Sequence, residues 1–189
     1  MITAESKQPP PRREKGPLLL MHGLPVDSLD WFNVFTTERC ALGTRLFDEG
    51  YQVYFGNVRG TPHSRTFSNG ADATINESAY FDFTLDELGN FDMQAMVKAA
   101  YQDYRVRHEG QCKKVSVIAH ALGTTEVLVG LSQSPYAKNY VSKAILLAPC
   151  PIPKINFFGE IDLLDFVDNL FKAARKRMIY SLFGPNWAE

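Results

Sequence analysis

Four short apolar runs, spaced along the first 150 residues, constrain this chain more than any other feature. They are Leu18-Leu19-Leu20-Met21, Gln52-Val53-Tyr54-Phe55-Gly56, Val115-Ser116-Val117-Ile118 and Ala144-Ile145-Leu146-Leu147-Ala148. Each is too short for a core helix and lacks the alternation of a half-wet strand, so each reads as a strand buried on both faces of a parallel sheet. Between them lie segments of helical spacing. Cys40-Ala41-Leu42 and Leu46-Phe47 recur at helical steps and stop at Gly50, a C-terminal cap residue. Thr84-Leu85-Asp86-Glu87 has the T-x-x-E form of a capping box, and Leu85, Leu88, Met93, Met96, Val97 and Ala100 continue one apolar stripe toward Tyr104. Strand, helix and strand in succession imply right-handed parallel crossovers. The expected fold class is α/β, a mostly parallel sheet with flanking helices.

The chemistry concentrates at the third strand. Val115 to Glu126 reads V-S-V-I-A-H-A-L-G-T-T-E: a buried strand, a sharp turn of small residues and the start of a helix. That is the shape of a nucleophile elbow, G-x-S-x-G, in which a serine stands on a strained turn while the next helix packs close behind. Here the frame is Ala119-His120-Ala121-Leu122-Gly123, with Ala121 at the serine position. A methyl group has neither a lone pair nor a proton to give up, so covalent acyl transfer at this atom is excluded. The turn is fixed by the strand before it and by a helix that approaches over Gly123, so Ala121 is expected to keep a strained or left-handed backbone. At the first strand, His22-Gly23-Leu24 lets the backbone turn tightly, either as an ordinary βα turn or as a source of an N–H above the sheet. Asn57-Val58-Arg59-Gly60-Thr61-Pro62-His63-Ser64-Arg65 forms a polar loop after the second strand.

Composition narrows the partners. A chain of 189 residues with 45% hydrophobic content suits one domain, and a net charge of −1 supplies no basic field for a phosphate backbone, so nucleic acid is not an expected partner. No apolar stretch approaches the roughly 20 residues of a membrane span, and residues 1–16 lack the apolar core of a secretory signal. Acidic residues and prolines in the same stretch argue against an organelle-targeting helix, and the compartment stays open. Three widely spaced cysteines, Cys40, Cys112 and Cys150, suggest reduced, mostly buried thiols with neither a disulfide framework nor a metal site. Residues 1–15, with Pro9-Pro10-Pro11, read as an extended or disordered arm. Residues 154–189 read as an amphipathic helical tail: Phe166, Leu170 and Phe171 belong to a broad apolar face, and Lys172, Arg175, Lys176 and Arg177 form a basic run. That face either packs on its own domain or contacts a partner.

Four stretches together resemble one family. L-L-L-M-H-G-L-P-V-D-S-L-D-W (18–31), D-E-G-Y-Q-V-Y-F-G-N-V-R-G-T-P-H-S-R (48–65), Y-F-D-F-T-L-D-E-L-G-N-F-D-M-Q-A-M-V (80–97) and A-H-A-L-G-T-T (119–125) are similar to the acid lipases, the gastric and lysosomal α/β-hydrolases that cleave triacylglycerols and cholesteryl esters. The similarity runs from Gly16 to Pro153 and implies a partial α/β-hydrolase core over residues 16–153. It places Ala121 where the family has its nucleophile, and Leu24 and Leu122 where backbone N–H groups form the oxyanion hole. Leu122 replaces a glutamine usual in these lipases, which leaves a main-chain donor intact. Asn57, Arg59, Gly60 and Arg65 match the loop that holds the segments above the sheet. No cofactor or metal is implied.

Three departures bear on function. The nucleophile is alanine. Triad members in this fold follow the order serine, acid, histidine, and no histidine follows His120 in this chain. The strands that carry the family's acid and base are also absent. The resulting expectation is a catalytically inactive, acid-lipase-like pseudoenzyme that serves as a structural subunit or partner-binding module, with other protein chains completing the core or packing on residues 161–183. The alternatives are a fragment or serine-knockout form of an active lipase, and a non-catalytic binder of acyl lipid.

Overall fold

The structure is a computed structural model, and it describes residues 2–3, 15–23, 26–32, 41–66, 80 and 82–150. Five strands form one sheet: β1 (Ile2–Thr3), β2 (Gly16–Met21), β3 (Tyr51–Gly56), β4 (Val115–His120) and β5 (Val141–Leu147). Their spatial order is β1-β3-β2-β4-β5. Strands β2 to β5 are parallel to their neighbours, and β1 runs antiparallel, with Ile2 opposite Phe55 and Thr3 opposite Tyr54. Within the stretch expected to be an extended or disordered arm, Ile2–Thr3 is therefore paired to the sheet edge. The tail, with Phe166, Leu170 and Phe171, lies outside the described residues, as do Leu24 and Cys40.

The helices follow from the local signals. α1 (Leu42–Asp48) ends at Gly50, whose φ of 94° is the left-handed conformation that glycine adopts without a Cβ penalty. α2 (Leu85–Glu87) starts at a full capping box: the Thr84 hydroxyl accepts from the Asp86 N–H, and the Glu87 carboxylate accepts from the Thr84 N–H at 2.7 Å. The helix expected from Leu85 to Tyr104 is continuous but not uniformly α-helical. Its second turn, Leu88–Met93, is π-helical, and α3 (Gln94–Arg107) carries it to the next turn. α4 (Leu122–Gln133) follows the elbow, and α5 (Pro135–Tyr140) leads into β5.

Alternate side chains of the strands feed two cores, as the period of two requires. Leu19, Met21, Tyr54, Val117 and Ala119 meet α3 and α4 on one face. Leu18, Leu20, Val53, Phe55 and Ile118 meet Trp31 and the residues partly buried around α1 on the other. β5 departs from its sequence signature: Ile145 is 49% exposed and Leu147 37% exposed among the described residues. The thiols also depart from expectation, since Cys112 is exposed on the turn after α3 and Cys150 is only partly buried. Among the described residues no helix is long and apolar enough to cross a membrane.

The chain leaves β2 toward β3 in one direction and returns past β2 to β4 in the other. This reversal puts a crevice above the carboxyl ends of β2 and β4, the place where ligands bind in open α/β sheets. The His22-Gly23 turn and the Ala121 turn stand at those two ends.

Candidate active site

Ala121 sits between β4 and α4 with φ 47° and ψ −119°. This is the strained turn expected of an elbow residue, and such conformations cost a non-glycine residue of order 1–3 kcal/mol. Packing on both sides holds it there. The Ala121 N–H donates to the Leu147 carbonyl at 3.0 Å, and the Ala121 carbonyl accepts from the Thr124 N–H at 3.0 Å and the Thr124 hydroxyl at 2.6 Å. The Thr124 hydroxyl oxygen accepts in turn from the Cys150 N–H at 3.0 Å, while the Thr125 hydroxyl donates to the Cys150 carbonyl at 2.5 Å. The two threonines thus clamp the chain leaving β5 onto the elbow. That exit is strained as well, with Ala148 at φ 45°.

Two glycines make the close approach possible. A Cβ at Gly123 would lie 2.4 Å from the His22 carbonyl oxygen, so no side chain is tolerated where α4 passes the β2 turn. A Cβ at Gly23 would lie 2.9 Å from the Ala121 methyl and 3.0 Å from the His120 carbonyl oxygen. The methyl of Ala121 therefore faces the bare backbone of the His22-Gly23 turn. Leu122 follows as the first residue of α4, where main-chain N–H groups have no partner inside the helix. Leu24, the other expected donor, lies outside the described residues.

His22 is buried, at 2% exposure, and braces this turn. Its Nε2 lies 3.4 Å from the Val58 N–H, which can only donate, and its Nδ1 lies 2.9 Å from the Gly23 carbonyl, which can only accept. The imidazole is therefore neutral and protonated on Nδ1. Burial, only partly opposed by the Gly23 carbonyl and by Asp27 and Asp30, lowers its affinity for a second proton.

The loop after β3 is tied down residue by residue. Asn57 accepts from the Ser28 N–H at 3.0 Å and donates to the Ser28 hydroxyl at 2.8 Å. The Arg59 main-chain N–H donates to Asp92 at 2.8 Å, and its guanidinium donates to both Asp92 oxygens, the closest contact being 2.7 Å from Nη2. The hydrogen bond to Asp92 raises the Arg59 pKa further. The Gly60 N–H donates to the Tyr80 hydroxyl, which itself donates to the Ser64 carbonyl. Arg65 is placed differently: its Nε is buried with no hydrogen-bond partner among the described residues. His63 Nε2 stands 3.5 Å from Asp27 on the same side of the sheet.

A sequence profile of the alpha/beta hydrolase fold matches residues 16–186. The chain belongs to the α/β-hydrolase family. Within it, the chain is acid-lipase-like. It is 33% identical over 163 residues to a probable lipase of Schizosaccharomyces pombe, a match that covers 86% of this chain and 33% of that protein. It is 30% identical over 139 residues to the lysosomal acid lipase/cholesteryl ester hydrolase of Macaca fascicularis, covering 72% of this chain and 32% of the relative. It is 30% identical over 140 residues to triacylglycerol lipase 1 of Arabidopsis thaliana, covering 74% and 32%. This α/β hydrolase thus spans about a third of the length of the curated relatives it matches.

Three groups of the site escaped sequence reasoning. Asp92 is the partner of Arg59 across 33 positions, a pairing that no local spacing announces. Ala148 looks like the end of an ordinary strand. Glu126, a charged residue type in α4, is buried at 2% exposure. Its place after four consecutive small or apolar positions of α4 was the one available hint. Among the described residues no group of three or more metal-ligating side chains converges.

Proposed function

We propose that this chain is a lipase-derived α/β-hydrolase module that does not hydrolyse esters by itself and acts as a structural or partner-binding element. One observation carries the reading: Ala121 has the backbone of a nucleophile turn and presents a methyl group to the His22-Gly23 backbone. A serine at that point would need a base to take its proton. The histidines of this chain at positions 22, 63, 108 and 120 do not offer one in the order this fold uses. His22 is committed through both ring nitrogens to the turn it braces. Relatives that include a cholesteryl ester hydrolase and a triacylglycerol lipase make acylglycerols and cholesteryl esters the substrate class from which the site descends. The partner reading rests on the apolar pattern of residues 161–183 in the sequence and on Ile145 and Leu147 of β5, which are exposed among the described residues.

Ala121→Ser in the full chain tests the first half. We expect no saturable hydrolysis of short-chain or long-chain esters by either the parent or the variant. Saturable turnover by Ala121→Ser would reveal a base and overturn the proposal, and turnover by the parent chain would overturn it outright. A second reading, a piece of an active lipase whose acid and histidine come from elsewhere, draws on the one-third coverage of the relatives. It requires activity once a serine and the remaining segments are supplied.

A further inference from the structure

Behind the elbow, α4 meets the π-helical segment Leu88–Met93 at unusually close range. A Cβ at Gly89 would lie 2.6 Å from the Val129 side chain and 2.9 Å from the Glu126 carbonyl oxygen. A Cβ at Gly130 would lie 2.7 Å from the Gly89 carbonyl oxygen and 2.8 Å from Met93 Sδ. The two segments therefore meet backbone to backbone at these glycines. Yet Glu126 stands on this stretch of α4 at 2% exposure, and its Oε2 is buried with no hydrogen-bond partner among the described residues. A buried carboxylate without a partner is expensive, so the group holds its proton while the contact is closed.

The charges around it offer no relief. The π-helical segment brings Asp92, whose negative charge disfavours ionisation of Glu126 further, and burial is the larger of the two effects. Arg59, the cation nearest Asp92, already spends its guanidinium on both Asp92 oxygens. Of the other elements on α4, α2 carries Asp86 and Glu87, β4 carries His120, α5 carries Lys138 and β5 carries Lys143; none of these offsets the effect of burial and Asp92 on Glu126. The π-helical turn, where hydrogen bonding is poorer than in a regular helix, is the natural place for the contact to yield.

We propose that Glu126 is a proton-operated lock on the contact between α4 and the Leu88–Met93 segment. Neutral, its carboxyl stays inside the closed contact. When the proton leaves to solvent, the contact opens at the π-helical turn, and Asp92 moves with it. Asp92 holds both the main chain and the guanidinium of Arg59, so the loop beside the Ala121 turn loses its anchor at the same time. The lock thus couples pH to the geometry of the crevice, independently of any ester chemistry there.

Hydrogen exchange of the full chain as a function of pH tests this, with Glu126→Gln as the isosteric variant that has no proton to lose. After correction for the intrinsic pH dependence of amide exchange, protection of peptides covering 88–93 and 122–133 should fall by up to about tenfold per pH unit as pH rises above the ordinary carboxylate range in the parent. The same peptides of Glu126→Gln should show no such excess. An excess absent from the parent, or equally large in the variant, overturns the proposal. If Glu126→Gln does not fold, the β2 peptide of the parent serves as reference: a fall confined to 88–93 and 122–133 supports the lock, and a uniform or absent fall refutes it.

Discussion

Replacing Ala121 by glycine should stabilise the protein or leave it unchanged, an unusual outcome for an alanine-to-glycine change. At φ 47° and ψ −119° the alanine bears strain of order 1–3 kcal/mol, which glycine does not feel. Against this gain stands the greater freedom of glycine in the unfolded chain, about 0.4–1 kcal/mol. A partly buried methyl is also lost, worth roughly half of the ~0.8 kcal/mol assigned to a fully buried carbon. No hydrogen bond is removed, because the bonds to Leu147 and Thr124 use only the main chain of residue 121. The balance is about 0–2 kcal/mol in favour of the variant. Ala95, exposed in the first turn of α3 and inside the continuous helical run that begins at Leu85, supplies the control, since glycine there should cost about 1 kcal/mol. Urea unfolding of Ala121→Gly, Ala95→Gly and the parent under identical conditions measures the gap. A chain of this size converts each kcal/mol into roughly 2–4 °C of Tm, so thermal unfolding resolves it too. If Ala121→Gly loses as much as Ala95→Gly, the turn stores no strain and the argument that packing enforces it fails.

Two further outcomes follow from the remaining geometry and from the tail. His22, held below its ordinary value of 6.5 by burial, contributes stability that is complete above that value and is lost as pH falls through its lowered folded-state value. The slope is up to about 1.4 kcal/mol per pH unit. Glu126 has the opposite sign in the acid range, so urea midpoints are best compared between about pH 4 and 7 in the Glu126→Gln background; a flat profile there refutes the neutral, bracing role of His22. For the proposed partner surface, Phe166→Ala with Phe171→Ala should release the chain from its assembly or make it insoluble, because large aromatic groups anchor interfaces while rim charges tune rate. Co-purification or size-exclusion chromatography reads this, and normal assembly of the double variant means that the 161–183 face is covered by its own chain or solvated.

Where the sequence alone sufficed, the signal was local. The runs at 18–21, 52–56 and 115–118 are strands because a strand buried on both faces is predominantly apolar, and the structure pairs all three in parallel. The capping box at Thr84 and Glu87 and the glycine stop at Gly50 lie where residues three or four apart satisfy one another. The strain at Ala121 was also legible, because a short strand, small residues and an immediate helix leave the intervening turn little choice. Tertiary structure decided the rest. The bidentate hold of Asp92 on Arg59, the brace of His22 on Gly23 and the clamp of Thr124 and Thr125 on Cys150 join residues 1 to 36 positions apart, and only the order of the strands brings most of them together. The π-helical turn at 88–93 and the burial of Glu126 belong to neither helix alone. They arise where Gly89 and Gly130 let two helices approach so closely that a methyl group at either glycine would clash, a condition set by packing across the chain that no single stretch of sequence encodes.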